Sequence, residues 1–556
     1  MQQKPWKRFG PLVAAALTAF AVACGSAQEV APAPAGVPQA ESGDTKAATD
    51  TSGKGGTLRI AMSAGNVPIP DQFLTEGGEG KRFVGANVYD TLLLGDAWQG
   101  DHVPVPGPGL ATEWKVADDK VTWTLKLRQN VKFHDGTPFN ADAVQFALDR
   151  VLRKDFEFYS APQAAAGASN FQQVKSYRKV DEFTFEIVTK KPWAFLAYDM
   201  VSMNIPSPTA IQKWGNKDYP KHPVGTGPFM VEKYVDGQVM ELVPFKDYWK
   251  EPAKIDKIIL YPMPEPAARL AAFQAGQVDW AEVPPPDSIE QLKASGANVL
   301  LKQYPHAIYY GFNTTKEPWS NVKVRQAIAY GIDRDGVVSI IQGAGKPASN
   351  LMYEGNPWRD TTFAGYKYDV EKAKALLKEA GVELPLKATI AYPTGGSGNM
   401  WPGPMSEKFQ QDMKAIGIEV SLVPLEWNTI LSLNRAGLNG ADYQKYDGYY
   451  FSPNTQSPMG AFGSFLSERI PGKGACCNGT NFSNKEFDDA IAAAAAEFDV
   501  AKQNEWMAKA DAALTREAPI VPMVHDLNLR VLSPNVRGWV QPQSWWGDFR
   551  SVWMKS

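Results

Sequence analysis

Cysteine is nearly missing from this chain: three residues in 556, at Cys24, Cys476 and Cys477. That is too few for a disulfide framework, and none of the spacings is Cys-x-x-Cys. The adjacent pair leaves two states open, free thiols or one vicinal bridge. Histidine is as scarce, with five residues at His102, His134, His222, His306 and His525. No two stand at His-x-x-x-His spacing, so no preformed metal site is expected. Gly-x-Ser-x-Gly is absent, which leaves a hydrolase elbow unsupported. The net charge of -3 gives no reason to expect a nucleic acid partner. Asp118-Asp119 and Asp488-Asp489 are adjacent acids of exposed type, not a spaced glycosidase pair. Gly343-Ala344-Gly345-Lys346-Pro347-Ala348 outlines a dinucleotide loop. Pro347 stands where a helix would have to continue, so the stretch reads as a loop. No cofactor is implied.

Long apolar runs are also missing. The one near the N-terminus, Pro11 to Val22, is shorter than the roughly 20 residues that span a bilayer. Lys4, Lys7 and Arg8 precede it and small residues follow, as in a secretory signal over residues 1–23. Ala21-Val22-Ala23-Cys24 resembles a bacterial lipobox, with Ala21 where that motif prefers leucine. The resemblance implies acylation of Cys24, and the alternative is an ordinary signal peptide. Residues 24–54 are rich in Ala, Pro, Gly, Ser and Thr and cannot bury enough surface to fold. They are expected to form a tether with a reach of roughly 30 Å.

What the chain does have is ordinary globular composition, 44% hydrophobic and 21% charged, over a length that allows two or three domains. Leu58, Ile60 and Met62 alternate with Arg59 and Ala61 as in a strand. Val121, Trp123, Leu125 and Leu127 alternate with polar residues in the clearest half-buried strand of the chain. His134-Asp135-Gly136-Thr137-Pro138 reads as a turn. Asn140 can cap a helix with the buried stripe Ala143, Val144, Ala147, Leu148 and Val151. Further helices open at Asn321 and Asp369, and a capping-box pair is expected at Ser483 and Glu486. Gly276, Gly381 and Gly417 read as helix stops. Strand patterns at Phe183–Ile187, Ile308–Phe312 and Ile418–Leu422 lie between the helices, which argues for an α/β fold. Aromatic residues are plentiful: 17 Trp, 20 Tyr and 26 Phe. Many fall near Gly and Pro, as at Asn399–Pro402 and Tyr449–Pro453, where rings outside periodic segments can line a cleft.

Several segments together resemble one family. Leu110-Ala111-Thr112-Glu113-Trp114 is followed by Thr122–Arg128 and by His134–Phe139. Val88–Leu93, Gly225-Thr226-Gly227-Pro228-Phe229, Phe273–Asp279, Asn321–Ile328 with Ile332-Asp333-Arg334, and Ala518–Pro522 agree in order. This series is similar to the family 5 extracellular solute-binding proteins, the peptide- and nickel-binding receptors of bacterial ABC importers. The match runs from about Gly56 to the C-terminus.

The resemblance implies a two-lobed periplasmic-binding-protein-like fold of class II type that closes over a solute. Lobe I would hold residues 55–305 and 525–556, with a subdomain over about 98–205, and lobe II residues 306–524. The crossovers near Tyr304–Asn313 and His525–Leu532 would be the hinge. It further implies a non-enzymatic, monomeric, lipid-anchored receptor in the cell envelope, with an ABC permease as partner. In peptide-binding members, an aspartate after a Gly-Trp pair holds the ligand amine. The corresponding stretch here is Asp447-Gly448-Tyr449-Tyr450-Phe451-Ser452-Pro453-Asn454, and no acidic residue occurs between Gly448 and Ser467. Asp526 and Glu76 are the candidate replacements. Trp427 resembles a ligand-lining position, and Trp401, Tyr449, Tyr450, Phe451, Asn454 and His525 complete the candidate set. Peptide is the first expected ligand. An oligosaccharide or other neutral solute is the alternative, because sugar rings also stack on aromatic faces, and an exported hydrolase is the reading from another class.

Overall fold

The computed structural model describes residues 52–74, 77–95, 105–363, 365–396, 399–473 and 476–556. The expected signal, Cys24 and Glu76 lie outside the described residues, as do nearly all of the expected tether and residues 98–104 of the expected subdomain.

Three sheets organise the chain. The first has seven strands in the order Asn298–Leu300, Arg530–Leu532, Trp280–Glu282, Thr57–Met62, Lys257–Pro262, Val239–Pro244 and Phe229–Val235. Its centre, Thr57–Met62, runs parallel to both neighbours. Leu58 and Ile60 are buried there, as their alternation requires. The second has six strands, Gly345–Pro347, Ile520–Asp526, Ala307–Phe312, Gly448–Phe451, Leu386–Pro393 and Ile418–Leu425. A four-stranded antiparallel sheet pairs Ala111–Val116, Thr122–Leu127, Thr184–Thr189 and Val174–Asp181. Trp123, Leu125 and Leu127 point inward from it, beside the buried stripe of the helix Ala141–Leu152. Asn140 caps that helix, its side-chain oxygen accepting from the Asp142 N–H at 3.0 Å.

Two short crossings join the large sheets. Residues 301–306 lead from Leu300 to Ala307, and residues 527–529 lead from Asp526 to Arg530. The second sheet keeps its last strand as far as Asp526, which pairs with Gly345, two residues beyond the expected change of lobe. The four-stranded unit also meets the second sheet's body. Ala194 N–H donates to the Ala495 carbonyl at 2.6 Å, and Trp123 and Tyr198 meet the rings of Phe498 and Trp358. One buried apolar cluster therefore continues from Leu125 through to Phe451 and Ile520.

Three local expectations change. Asn484, not Ser483, caps the helix Lys485–Ala496, since its side chain accepts from Phe487 N–H while Ser483 pairs with the Ser467 hydroxyl. Gly345–Pro347, read as loop, is an edge strand, a position where proline is tolerated. Tyr449 to Phe451, expected near loops, form a central strand buried on both faces. Such a strand reads as a continuous apolar run, without the alternation that marks a half-buried one. The structure also closes the question of the adjacent thiols, joining Cys476 to Cys477.

Candidate binding cleft

Leu386–Pro393 lies between Ile418–Leu425 and Gly448–Phe451 and is parallel to both. All three therefore end at one edge, the place where open α/β sheets accept ligands. Their carboxyl ends deliver residues 394–396 and 399–401, Glu426-Trp427 and residues 452–457. Trp427 opens the helix Trp427–Ala436, which Glu426 caps by accepting from Asn428 N–H at 2.7 Å. Its half-buried ring stacks on Phe451 with centroids 5.7 Å apart and planes at 30°. Gly396 passes so close that a Cβ there would lie 2.7 Å from Trp427 Cγ, and its φ of +110° also requires glycine. Asn399 ties the edge together. Its Oδ1 accepts from Ser452 Oγ, its carbonyl accepts from Tyr450 Oη, each at 2.8 Å, and its amide donates to the Gly395 carbonyl.

The other expected residues take different positions. Tyr450 is fully buried on the opposite face of its strand, edge-on to Tyr310, which stacks on Phe409. Tyr449 is buried as well and donates to Asn434 Oδ1 at 2.7 Å. Both fill the core of the second sheet. Trp401 is 4% exposed, and its Nε1–H donates across to the Pro284 carbonyl at 3.1 Å, so it joins the two bodies. Asn454 bridges His306 through its backbone and accepts from Gln456 N–H with its side chain.

His525 and Asp526 sit where the strand leaves the second sheet. Burial, and then the charges of Arg359, Lys346 and His306, lower His525 to about 3, so its ring is neutral. Asp526 stood as a candidate for a ligand amine. The structure commits its carboxylate elsewhere: Oδ1 accepts from Asn528 N–H, and Oδ2 faces His306 Nδ1 at 3.3 Å. The other ring nitrogen of His306 faces the Ser452 carbonyl at 3.1 Å.

On the first sheet's side the crossing is built of buried charge. Arg82 meets Glu282 at 2.8 Å, and Arg530 meets the same carboxylate at 2.8 Å. Arg82 also donates to Tyr304 Oη at 3.1 Å. Burial opposes the charge on Glu282, yet Arg82 and Arg530 outweigh it and hold that carboxyl below its usual range. Glu79 is pushed upward by burial and by Glu282, although Ser63 and Ala64 donate to it. The C-terminal segment closes over this network. Trp545 stacks on Tyr304 with centroids 6.0 Å apart, and its backbone N–H donates to Gln456 Oε1 at 3.0 Å. Sequence reasoning named Tyr304 only as the start of a crossover and passed over Gln456 and Trp545, since neither lies in a periodic pattern or a motif. The Trp545-Trp546 pair near the chain end was the one available signal.

Comparison with known proteins fits this geometry. The model of the bacterial extracellular solute-binding proteins, family 5 Middle, matches residues 105–472. The chain belongs to that family. This family 5 chain is 30% identical over 475 residues to the heme-binding protein A of Haemophilus influenzae, covering 80% of this chain and 83% of that one. It is 28% identical over 453 residues to the dipeptide-binding protein of Escherichia coli, covering 78% and 83%. Among solved structures, the DppA periplasmic binding protein of Helicobacter pylori in complex with the peptide STSA superimposes with a TM-score of 0.76 at 23% identity, over 90% of this chain and 99% of that one. HbpA2 of Haemophilus parasuis gives a TM-score of 0.72 at 26% identity, over 90% and 100%. The family 5 protein is thus an exported solute-binding protein with the two-lobed fold of these receptors.

A separate small recess belongs to the first sheet and its neighbours, with Asp90, Asn204, Tyr248, Lys250 and Trp546 on its wall. Asp90 is buried there and accepts from Thr226, Tyr248 and Trp249, which satisfies the carboxylate locally. No three His, Cys, Asp or Glu side chains gather as a metal site among the described residues.

Proposed function

We propose that this family 5 protein captures a peptide between its two large sheets and delivers it to the permease of an ABC importer, performing no chemistry itself. The seven-stranded sheet with the four-stranded unit and the C-terminal segment is lobe I, and the six-stranded sheet is lobe II. A solute that touches both favours closure by its differential affinity for the closed state. One observation carries the reading. The stacked rings of Trp427 and Phe451 stand at the carboxyl edge of lobe II, and residues 452–457 that follow Phe451 meet the C-terminal segment through Gln456 and Trp545. A planar, apolar platform at such an edge suits peptide side chains. The dipeptide-binding relative and the peptide-bound neighbours point to the same cargo. Acylation of Cys24 would hold the receptor at the membrane, with residues 25–54 as its leash.

A neutral solute is the second reading, favoured by the missing acid after Gly448 and by the engagement of Asp526 with His306 and Asn528. Isothermal calorimetry with di- to pentapeptides and with cello- and xylo-oligosaccharides separates the two. Peptide binding with compaction in small-angle scattering is the expected result. Heat only from the sugars replaces the peptide reading, and turnover of either class overturns the non-enzymatic one.

A further inference from the structure

Taking the cleft as the cargo site just proposed, we infer that it recognises hydrogen-bond acceptors of the cargo, its carbonyl or carboxylate oxygens, through a clamp of Gln456 and Trp545, and needs no free α-amine. Gln456 follows the last strand of the lobe II edge, and Trp545 belongs to the C-terminal segment that closes on lobe I. They touch, because Trp545 N–H donates to Gln456 Oε1. That bond occupies Gln456 Oε1 and leaves Nε2 as the free end of the amide. Gln456 Nε2, Trp545 Nε1 and the nearby Asn528 Nδ2 are then all buried with no hydrogen-bond partner among the described residues. The three residues are 3%, 7% and 5% exposed, so bulk water does not serve them.

The sign of the deficit is informative. Every unpartnered atom of this trio is an N–H donor. The Asp526 carboxylate is already engaged by Asn528 N–H and faces His306 Nδ1. No acidic residue lies between Gly448 and Ser467 to hold an ammonium group in lobe II. Burying donors without acceptors opposes closure of the empty protein. Cargo oxygens that accept from Gln456 Nε2 and Trp545 Nε1 remove that opposition and engage both lobes at once, so recognition and closure become one event.

The probes are trileucine, N-acetyl-trileucine and trileucine amide, titrated into the full mature protein and into Gln456→Glu and Trp545→Phe. Glutamate keeps the acceptor for Trp545 N–H but loses the donor, and phenylalanine keeps the ring stack but loses Nε1–H. N-acetyl-trileucine should bind within threefold of trileucine, and each variant should weaken it about tenfold. Gln456→Glu should also shift preference toward the free amine. Comparable binding of the amide and the acid assigns the acceptor to backbone carbonyls, and a tenfold loss with the amide assigns it to the terminal carboxylate. A loss of a hundredfold on acetylation, or unchanged affinity in both variants, overturns the clamp. If none of the peptides binds, the peptide reading falls while the clamp is read on cellotriose. There, weakening in Trp545→Phe supports it and no change overturns it.

Discussion

The two sides of the crossing solve opposite problems. On the lobe I side, Arg82, Glu282 and Arg530 share one buried ion cluster, steadied by Tyr304 and by the Trp280 indole, whose Nε1–H donates to Glu282 at 2.7 Å. On the lobe II side, the corresponding strand ends carry stacked rings and neutral amides in place of paired charge. Buried charge paired this closely has large penalties for rearrangement. Neutral rings and amides can exchange one partner for another at small cost. Under the proposed function, the contrast makes the first side a rigid frame and the second the adaptable reader of cargo.

Breaking the frame should give the largest effect. Glu282→Ala leaves Arg82 and Arg530 buried against each other with no carboxylate between them. Removing one partner of a buried pair costs about 3–5 kcal/mol, so the variant should unfold several degrees lower or fail to accumulate. Thermal unfolding by circular dichroism measures this. An unchanged melting temperature would show that the cluster is no frame.

The fold was legible where a single periodicity governs a segment. Trp123, Leu125 and Leu127 announce their strand, and Asn140, Asn321 and Asp369 each cap the helix expected of them. Gly276, Gly381 and Gly417 all adopt positive φ at helix stops. Legibility failed for central strands. Tyr449, Tyr450 and Phe451 are adjacent aromatics because both faces of their strand are covered, and without the sheet around it such a run resembles a loop cluster. In the cleft, motif order pointed to Trp427, whereas Gln456 and Trp545 come together only through long-range folding. No local pattern records a hydrogen bond across 89 positions of sequence.

A second prediction concerns the seam between frame and reader. Asp199 is buried there, accepting from Trp193 Nε1–H at 2.9 Å, with Arg469 of lobe II nearby. Burial, only partly offset by Trp193 and Arg469, raises its carboxyl from 3.8 to about 8. Between those values the folded state holds a proton that the unfolded state has lost. Stability therefore falls as pH rises, by roughly 1.4 kcal/mol per pH unit across the window. His134 acts in the opposite sense. Burial lowers it to about 4, so its contribution is lost as pH falls from 6.5 toward 4. The two slopes cancel in part below pH 6.5. Asp199→Asn keeps the acceptor for Trp193 and removes one slope. Its advantage over the parent in urea denaturation should grow by about 3 kcal/mol from pH 5 to pH 7. A constant difference between the two proteins would place the carboxyl's titration outside this range.

The smallest expected effect tests the reader itself. Trp427 is half-buried at the start of its helix, and its own ring neighbour, Phe451, remains anchored in the central strand when the indole is removed. Trp427→Ala should therefore change the melting temperature little, in contrast to Glu282→Ala. Cargo loses one face of the platform, and affinity should drop about tenfold, the equivalent of about 1.4 kcal/mol. Trp427→Phe should recover most of it, because a ring of either kind can lie on Phe451. Calorimetry on the three proteins reads the effect directly. If Trp427→Ala binds peptide as the parent does, the rings belong to the packing of lobe II and the cargo platform lies elsewhere along the same edge. A fall in stability as large as that of Glu282→Ala would erase the division between frame and reader, since the aromatic edge would then be carrying the fold.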